Sequence, residues 1–278
     1  MTNLTLLEKE NISFIRQTFT PIQPSFKTAG ENISYKEYFP SPALCNYIYC
    51  FWELKTLQRL EKTFIYRVVA DGCIDIFFDL NQLKESYVMG FSNSYSEFEV
   101  GNSFHYAGIR FLPVILPQIF KLDASEFSNK AIKLLEIIPQ VDQFVKNRIN
   151  SEMSFDTIRN NFDIFFTEII NSMTLTSDKR LYSAIHEILS KKGEINLQKE
   201  LDCGLSPRQL RRLFEIYIGD TPKTFSKVVR FQHVLKTHFT HNNNAPIAID
   251  GYYDQSHFIK DFKSLYGSTP AKALDLCC

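Results

Sequence analysis

Between Ser206 and Pro270 the chain repeats itself: Leu210, Phe214, Gly219 and Thr221-Pro222 return 48 positions later as Phe258, Phe262, Gly267 and Thr269-Pro270. A short helical unit is duplicated, so the fold must hold two similar helices in a fixed relation. The first copy carries Arg208, Arg211 and Arg212 on the face opposite its apolar residues. A repeated small helix with an outward cationic face suits a repetitive polyanion, and double-stranded DNA is such a partner.

Each part of the first copy has a local reason. Ser206-Pro207-Arg208-Gln209 is a helix start. Ser206 is the N-cap, Pro207 takes the first helical position where its missing N–H costs nothing, and Gln209 closes a capping box. Leu210, Leu213, Phe214 and Tyr217 form one face, while Arg208, Arg211, Arg212 and Glu215 form the other. Gly219 ends the helix and Thr221 caps the next. Upstream, Leu197 to Cys203 is predicted to be a short helix joined through Gly204-Leu205, which gives helix, tight turn, helix.

In the second copy Asp254 is the cap and Phe258, Phe262 and Leu265 the apolar face, with Ser256, Ile259, Lys260 and Lys263 outward. Arginine pairs bidentately with guanine, whereas Gln255 suits adenine and Ile259 a thymine methyl. Two unlike readers predict a non-palindromic site per monomer. The connector, Thr221 to about Thr240, reads as one helix with Phe225, Val228, Val229, Leu235 and Phe239 apolar. At 1.5 Å per residue it spans roughly 28 Å, close to the roughly 34 Å between successive major-groove faces.

Charge is distributed in keeping with this. The whole chain balances 31 basic against 31 acidic residues, but residues 178–278 hold 15 basic and 11 acidic ones. The N-terminus, Met1 to Phe19, lacks the pattern of an export signal. The most apolar run, Phe111 to Phe120, is broken by Pro113 and Pro117. A cytoplasmic protein without membrane association is expected. Six cysteines (Cys45, Cys50, Cys73, Cys203, Cys277, Cys278) form no C-x-x-C pair and are read as thiols. His233, His238 and His241 have helical spacing but no Cys or carboxylate beside them to complete a metal site, so no metal is expected.

Residues of about 33–111 read as β structure. Phe64 to Val69 and Cys73 to Phe78 flank Ala70-Asp71-Gly72, which predicts a hairpin. Tyr87 to Gly90, Glu97 to Val100 and His105 to Phe111 are further strands, and the spacing suggests a small sandwich or barrel. Arg67 and Arg110 fall at strand positions and are expected to be outward or structurally paired rather than ligands for an anion. Over about 125–172 the pattern is helical: Ala131, Leu134, Leu135 and Ile138, then Phe155, Ile158, Phe162, Phe165, Phe166, Ile169 and Ile170. That Phe-rich stripe is read as core in preference to a subunit interface. The polar stretch Asn171 to Asp178 is the expected boundary between domains 1–174 and 175–278.

Gly204-Leu205-Ser206-Pro207-Arg208-Gln209-Leu210-Arg211-Arg212-Leu213-Phe214, with Gly251-Tyr252-Tyr253-Asp254-Gln255-Ser256-His257-Phe258, Phe262-Lys263 and Gly267-Ser268-Thr269-Pro270, resembles the DNA-binding domain of AraC/XylS-type transcription regulators over about residues 180–274. The resemblance implies seven helices with two helix-turn-helix units on a long connector, and activation through contacts to RNA polymerase. It puts Arg208, Arg211 and Arg212, and Gln255, Ser256, His257 and Lys260, on DNA-facing positions, with Arg230 at a basic position of the connector. Glu200 departs from the family's usual small residue, and Ala248 to Gly251, after Pro246, is one residue short.

Val69-Ala70-Asp71-Gly72-Cys73-Ile74-Asp75 and Gly108-Ile109-Arg110-Phe111-Leu112-Pro113 are similar to the sensor domains that precede such modules. The resemblance implies a β-barrel, cupin-like domain with flanking helices that senses a small-molecule effector or mediates homodimerisation. The usual cupin metal ligands are not visible. The expectation is therefore an α+β chain, a sequence-specific DNA-binding transcription regulator that activates in the manner of the family, with no enzymatic activity, cofactor or metal. Two alternatives stand beside it: an interaction protein with degenerate DNA binding, and a protein like DNA-repair alkyl transferases using Cys73.

Overall fold

The computed structural model describes residues 6–24, 31–83, 85–173, 178–197, 201–240 and 251–275. Among the described residues the N-terminal half is built on eight strands, β1 (Ile33–Tyr38), β2 (Ile48–Thr56), β3 (Phe64–Val68), β4 (Ile74–Asp79), β5 (Ser86–Met89), β6 (Ser96–Gly101), β7 (His105–Phe111) and β8 (Ala131–Lys133). Six form an antiparallel sheet in the order β1-β2-β7-β4-β5-β8, and β3 pairs with β6 as a separate ribbon. Among the described residues no ladder joins ribbon to sheet. The sheet-rich domain expected from the sequence is there, but as an open structure and not a closed barrel.

Alternation decides which residues face where, since successive strand side chains point to opposite faces. On β4, Ile74, Ile76 and Phe78 enter the main core, while Asp75 and Phe77 face the ribbon. Phe51 of β2 enters the main core, whereas Cys50, Trp52 and Leu54 join Tyr66 and Phe104 in a second cluster beneath the ribbon. The hairpin predicted around Asp71-Gly72 does not form. β3 pairs with β6 and β4 with β5 and β7, so the turn carries the chain from one sheet to the other. Gly72 supplies a positive φ of 79° there.

The main core is closed by helices α1 (Leu6–Thr18), α2 (Ile115–Phe120), α3 (Leu134–Ile137), α4 (Pro139–Arg148) and α5 (Phe155–Ser172). Ser154 caps α5 by accepting from the Thr157 N–H. Its Ile158, Phe162, Phe166 and Ile170 are buried at four-residue steps. The Phe162 ring lies 6.1 Å from Phe51 and 5.9 Å from Phe78, and Phe166 lies 5.5 Å from Phe111. The stripe is core, as its sequence suggested, and truncating Phe162 to Ala would cost about 3–5 kcal/mol. Ala131 opens no helix, because residues 131–133 pair with β5 as an edge strand.

The C-terminal half comprises α6 (Lys179–Ser190), α7 (Pro207–Tyr217), α8 (Pro222–Thr240), α9 (Gln255–Tyr266) and α10 (Pro270–Asp275). Its core is continuous with that of the N-terminal half. Phe14 of α1 stacks on His186 of α6 at 3.9 Å. Gln232 of α8 accepts from the Ile22 N–H at 2.7 Å and donates to the Ala70 carbonyl at 2.8 Å. The backbone bonds Ala70 N–H to Leu265 O and Tyr95 N–H to Ser264 O tie the end of α9 to the 69–72 turn and the 91–95 loop. The expected boundary at 174/175 lies outside the described residues.

Candidate nucleic-acid interface and internal cavity

The start of α7 carries the capping box read from the sequence. The Gln209 N–H donates to Ser206 Oγ at 3.3 Å, and the Ser206 N–H donates to Gln209 Oε1 at 3.0 Å. Leu210 and Phe214 are buried, and Phe214 meets Phe225 of α8 edge-on at 5.9 Å. This seating turns Arg208, Arg211 and Arg212 to solvent. Arg211 pairs with Glu215 one turn on, Nε to Oε1 at 2.7 Å. The pair is solvent-exposed and screened, so Arg211 is easily released to another anion. The helix expected at Leu197 to Cys203 is not helical at Leu197 or at 201–203; residues 198–200, Glu200 among them, lie outside the described residues.

The second copy is built alike. Asp254 accepts from the His257 N–H at 2.7 Å, and Gly267 ends α9 with φ 95°. Phe258, Phe262, Leu265 and Tyr266 are buried, with Phe262 5.4 Å from Phe231 of α8. Gln255, Ser256, His257 and Lys260 are exposed. His257 Nε2 lies 3.5 Å from Asp261, whose other oxygen takes Lys227 of α8 at 3.0 Å. Both outward faces therefore flank one 19-residue helix, α8. Pro246 and Ala248 lie outside the described residues, so the short supporting segment is not seen.

Arg230 is placed differently. It is half-buried, donates Nη1 to the Gly251 carbonyl, and its guanidinium sits 4.5 Å over the Tyr252 ring. Its visible work is to brace the turn before α9. Next to it Tyr253 is 94% exposed, a large aromatic at the entrance of α9 that the sequence reading passed over. A bare tyrosine beside a helix N-terminus had no periodic signal to mark it.

Between sheet and ribbon lies a cavity of about 310 Å³. Strand register builds its floor in two rows. In one row Trp52, Gly108, Phe77 and Tyr87 lie opposite one another across β2, β7, β4 and β5. The Trp52 indole lies over Gly108, where a Cβ would sit 2.2 Å from it. In the next row Cys50, Arg110, Asp75 and Met89 are opposed. Arg110 grips Asp75 with Nε to Oδ1 at 3.1 Å and Nη2 to Oδ2 at 3.0 Å, and Trp52 Nε1 donates to Asp75 Oδ2 at 3.0 Å. Asp71 and Glu37 each stand 3.4 Å from the same guanidinium.

Burial pushes the Asp75 carboxyl up to about 6; Arg110 holds it down and Asp71 adds to the rise. Burial works against the charge on Arg110 too, but the surrounding carboxylates keep it protonated. Arg110 is thus paired, as expected, and Arg67 pairs outward with Glu97 at 2.6 Å. Cys73 is buried and desolvation pushes its thiol well up, the opposite of what a nucleophilic thiolate needs. Among the described residues no three His, Cys, Asp or Glu side chains gather to hold a metal, and no helix is long and apolar enough to cross a membrane; His241, Cys277 and Cys278 lie outside them.

Asp71 links the cavity to the C-terminal half. Its Oδ2 accepts from Gln23 Nε2 at 2.8 Å, and Gln23 also exchanges hydrogen bonds with the Val69 backbone. The adjoining Ala70 carbonyl is the one held by Gln232 of α8.

Two family models match the chain. Residues 36–133 match a domain of unknown function, DUF6597, and residues 202–275 match a helix-turn-helix domain. No curated protein sequence matches. Among solved structures, an apo variant of ToxT from Vibrio cholerae strain SCE256 is 15% identical, with 90% of this chain and 99% of that one covered and a TM-score of 0.43. ToxT from Vibrio cholerae O395 is 13% identical over 89% and 99%, with a TM-score of 0.41. An unsaturated fatty acid-bound ToxT is 15% identical over 88% and 94%, with a TM-score of 0.37. The matched C-terminal module, two capped helices with exposed polar faces on either side of α8, is a helix-turn-helix domain, and the chain is a DNA-binding transcription regulator whose module resembles that of the AraC/XylS type.

Proposed function

We propose that the protein activates transcription from a non-palindromic site read by both helices, in response to a small molecule held in the N-terminal half. One observation carries this: α7 and α9 both turn unburied polar and cationic faces outward from the same connecting helix. On this reading Arg208, Arg211 and Arg212 enter one major groove, and Gln255, Ser256, His257 and Lys260 the next. Arg230 acts indirectly, by holding the turn that aims α9. Contacts to RNA polymerase and a homodimeric state, implied by the family resemblance, belong to the same proposal, as do a cytoplasmic location, the absence of catalysis and the division near residue 174.

The N-terminal half suits a sensing role because its cavity shares residues with the interdomain junction. Val69, Asp71 and Cys73 line the cavity, and Val69 to Asp71 is the segment bonded to Gln23, Gln232 and Leu265. An occupant that shifts this turn changes how α8 and α9 sit.

The test is a DNA-retardation series on a selected duplex and on random duplex. Binding should fall steeply with added salt through counterion release. Replacing Arg212 with Ala should weaken the selected duplex by about 1–3 kcal/mol and leave random duplex nearly unchanged. Equal loss on both would make Arg212 a phosphate contact, and no shift at low salt would overturn the reading.

A further inference from the structure

The occupant of the cavity can be narrowed by what its floor offers. Arg110 is the cation there, yet only 3% of its side chain is accessible, against 14% for Asp75 and 11% for Asp71. A molecule entering the cavity meets carboxylate oxygen, with the guanidinium behind it. Three carboxylates, Asp75, Asp71 and Glu37, surround that one guanidinium. An anionic ligand would have to displace an acid already gripped by two hydrogen bonds. A cation meets an uncompensated negative surface.

The walls agree. Trp52, Tyr66, Phe77, Tyr87, Phe98 and Tyr106 line the space. Phe77 lies 6.5 Å from Trp52, 5.6 Å from Tyr87 and 6.5 Å from Phe98, so rings bound it from both the sheet and the ribbon. Ring faces attract a desolvated cation, and a carboxylate at the base fixes where its charge sits.

We propose that the cavity takes an organic cation, an apolar or aromatic body bearing a protonated amine, with the ammonium group against Asp75 and Asp71 and the body among the rings. This presupposes that the N-terminal half senses a small molecule, and it adds the chemical class. It also sets the site apart from one that takes a carboxylate.

The chain has a single tryptophan, Trp52, and it lines the cavity. Its emission therefore reports occupancy directly. Full-length protein is titrated with phenylbutylamine, phenylbutanol and phenylbutyrate, which share one body and differ in the head group. The amine is expected to change Trp52 emission with a dissociation constant at least about tenfold below those of the alcohol and the acid. In Asp75→Asn that preference should vanish.

A pH series on the unaltered protein guards against a misfolded variant. Asp75 is faced by Arg110 of β7, Cys50 of β2, Tyr66 of β3, and Asp71 and Cys73 of the preceding turn. Burial pushes the two thiols and the phenol up and Arg110 stays charged, so these four keep their charge between about pH 5 and 7.5. Protonating Asp75 as pH falls through about 6 should weaken the amine and leave the alcohol unaffected. Equal or tighter binding of the acid, or no response to any of the three at millimolar concentration, would overturn the proposal. DNA retardation on the same preparation separates the failures. Amine binding that leaves DNA affinity unchanged sinks the sensing role alone, and DNA binding without any amine response sinks the ligand class alone.

Discussion

Gly108 sits between Trp52 and Phe77 in the register of the sheet, and a side chain there has nowhere to go. Gly108→Ala drives a Cβ into the indole ring system, and overpacking of this kind costs about 1–3 kcal/mol. The variant should lose that much in urea unfolding and shift Trp52 emission; an unchanged spectrum would show that the indole does not lie where we describe it. The arginines of α7 pose a different question. Arg208, Arg211 and Arg212 were readable from the sequence because their spacing sets them opposite Leu210 and Phe214. The Arg110–Asp75 pair was only half readable: both residues stand at strand positions, but their opposition depends on β4 pairing with β7 across about thirty residues, and no local rule reports that. Tyr253 was missed for a related reason, since exposure in a turn leaves no period.

At the scale of elements, caps were the most faithful signal. Ser206 and Asp254 accept the backbone N–H groups that their sequence context assigned to them. Removing one such cap costs about 1 kcal/mol. Ser206→Ala should therefore lower stability by about that amount and raise amide exchange in the first turn of α7, while α9 stays protected; equal protection in both helices would mean that the cap contributes nothing. Strand partners were less readable than strand positions. The Asp71-Gly72 turn carries every local mark of a hairpin, yet it is recruited to bridge two sheets, because Gln23, Gln232 and Arg110 all converge on residues 69–71. The chain from 131 to 133 likewise shows helical spacing but completes the edge of a sheet. Tertiary hydrogen bonds overrode local preference in both cases.

For the molecule as a whole, the continuous core and the Gln232 junction argue that the two halves unfold together. Calorimetry of the unaltered protein should give one cooperative transition. Gln232→Ala leaves the Ile22 N–H and the Ala70 carbonyl without their buried partner, a loss of about 1–3 kcal/mol. It should broaden or split that transition, and an unchanged single transition would place the coupling elsewhere. The measurement that bears most directly on the central claim is selection of bound duplexes from a random pool, followed by footprinting. Two unlike readers on one rigid helix should enrich a non-palindromic site whose two elements lie about one duplex turn, 10–10.5 base pairs, apart. Arg212→Ala should relax preference in one element and Gln255→Ala in the other. No enrichment, or a single element indifferent to Gln255, would contradict the account.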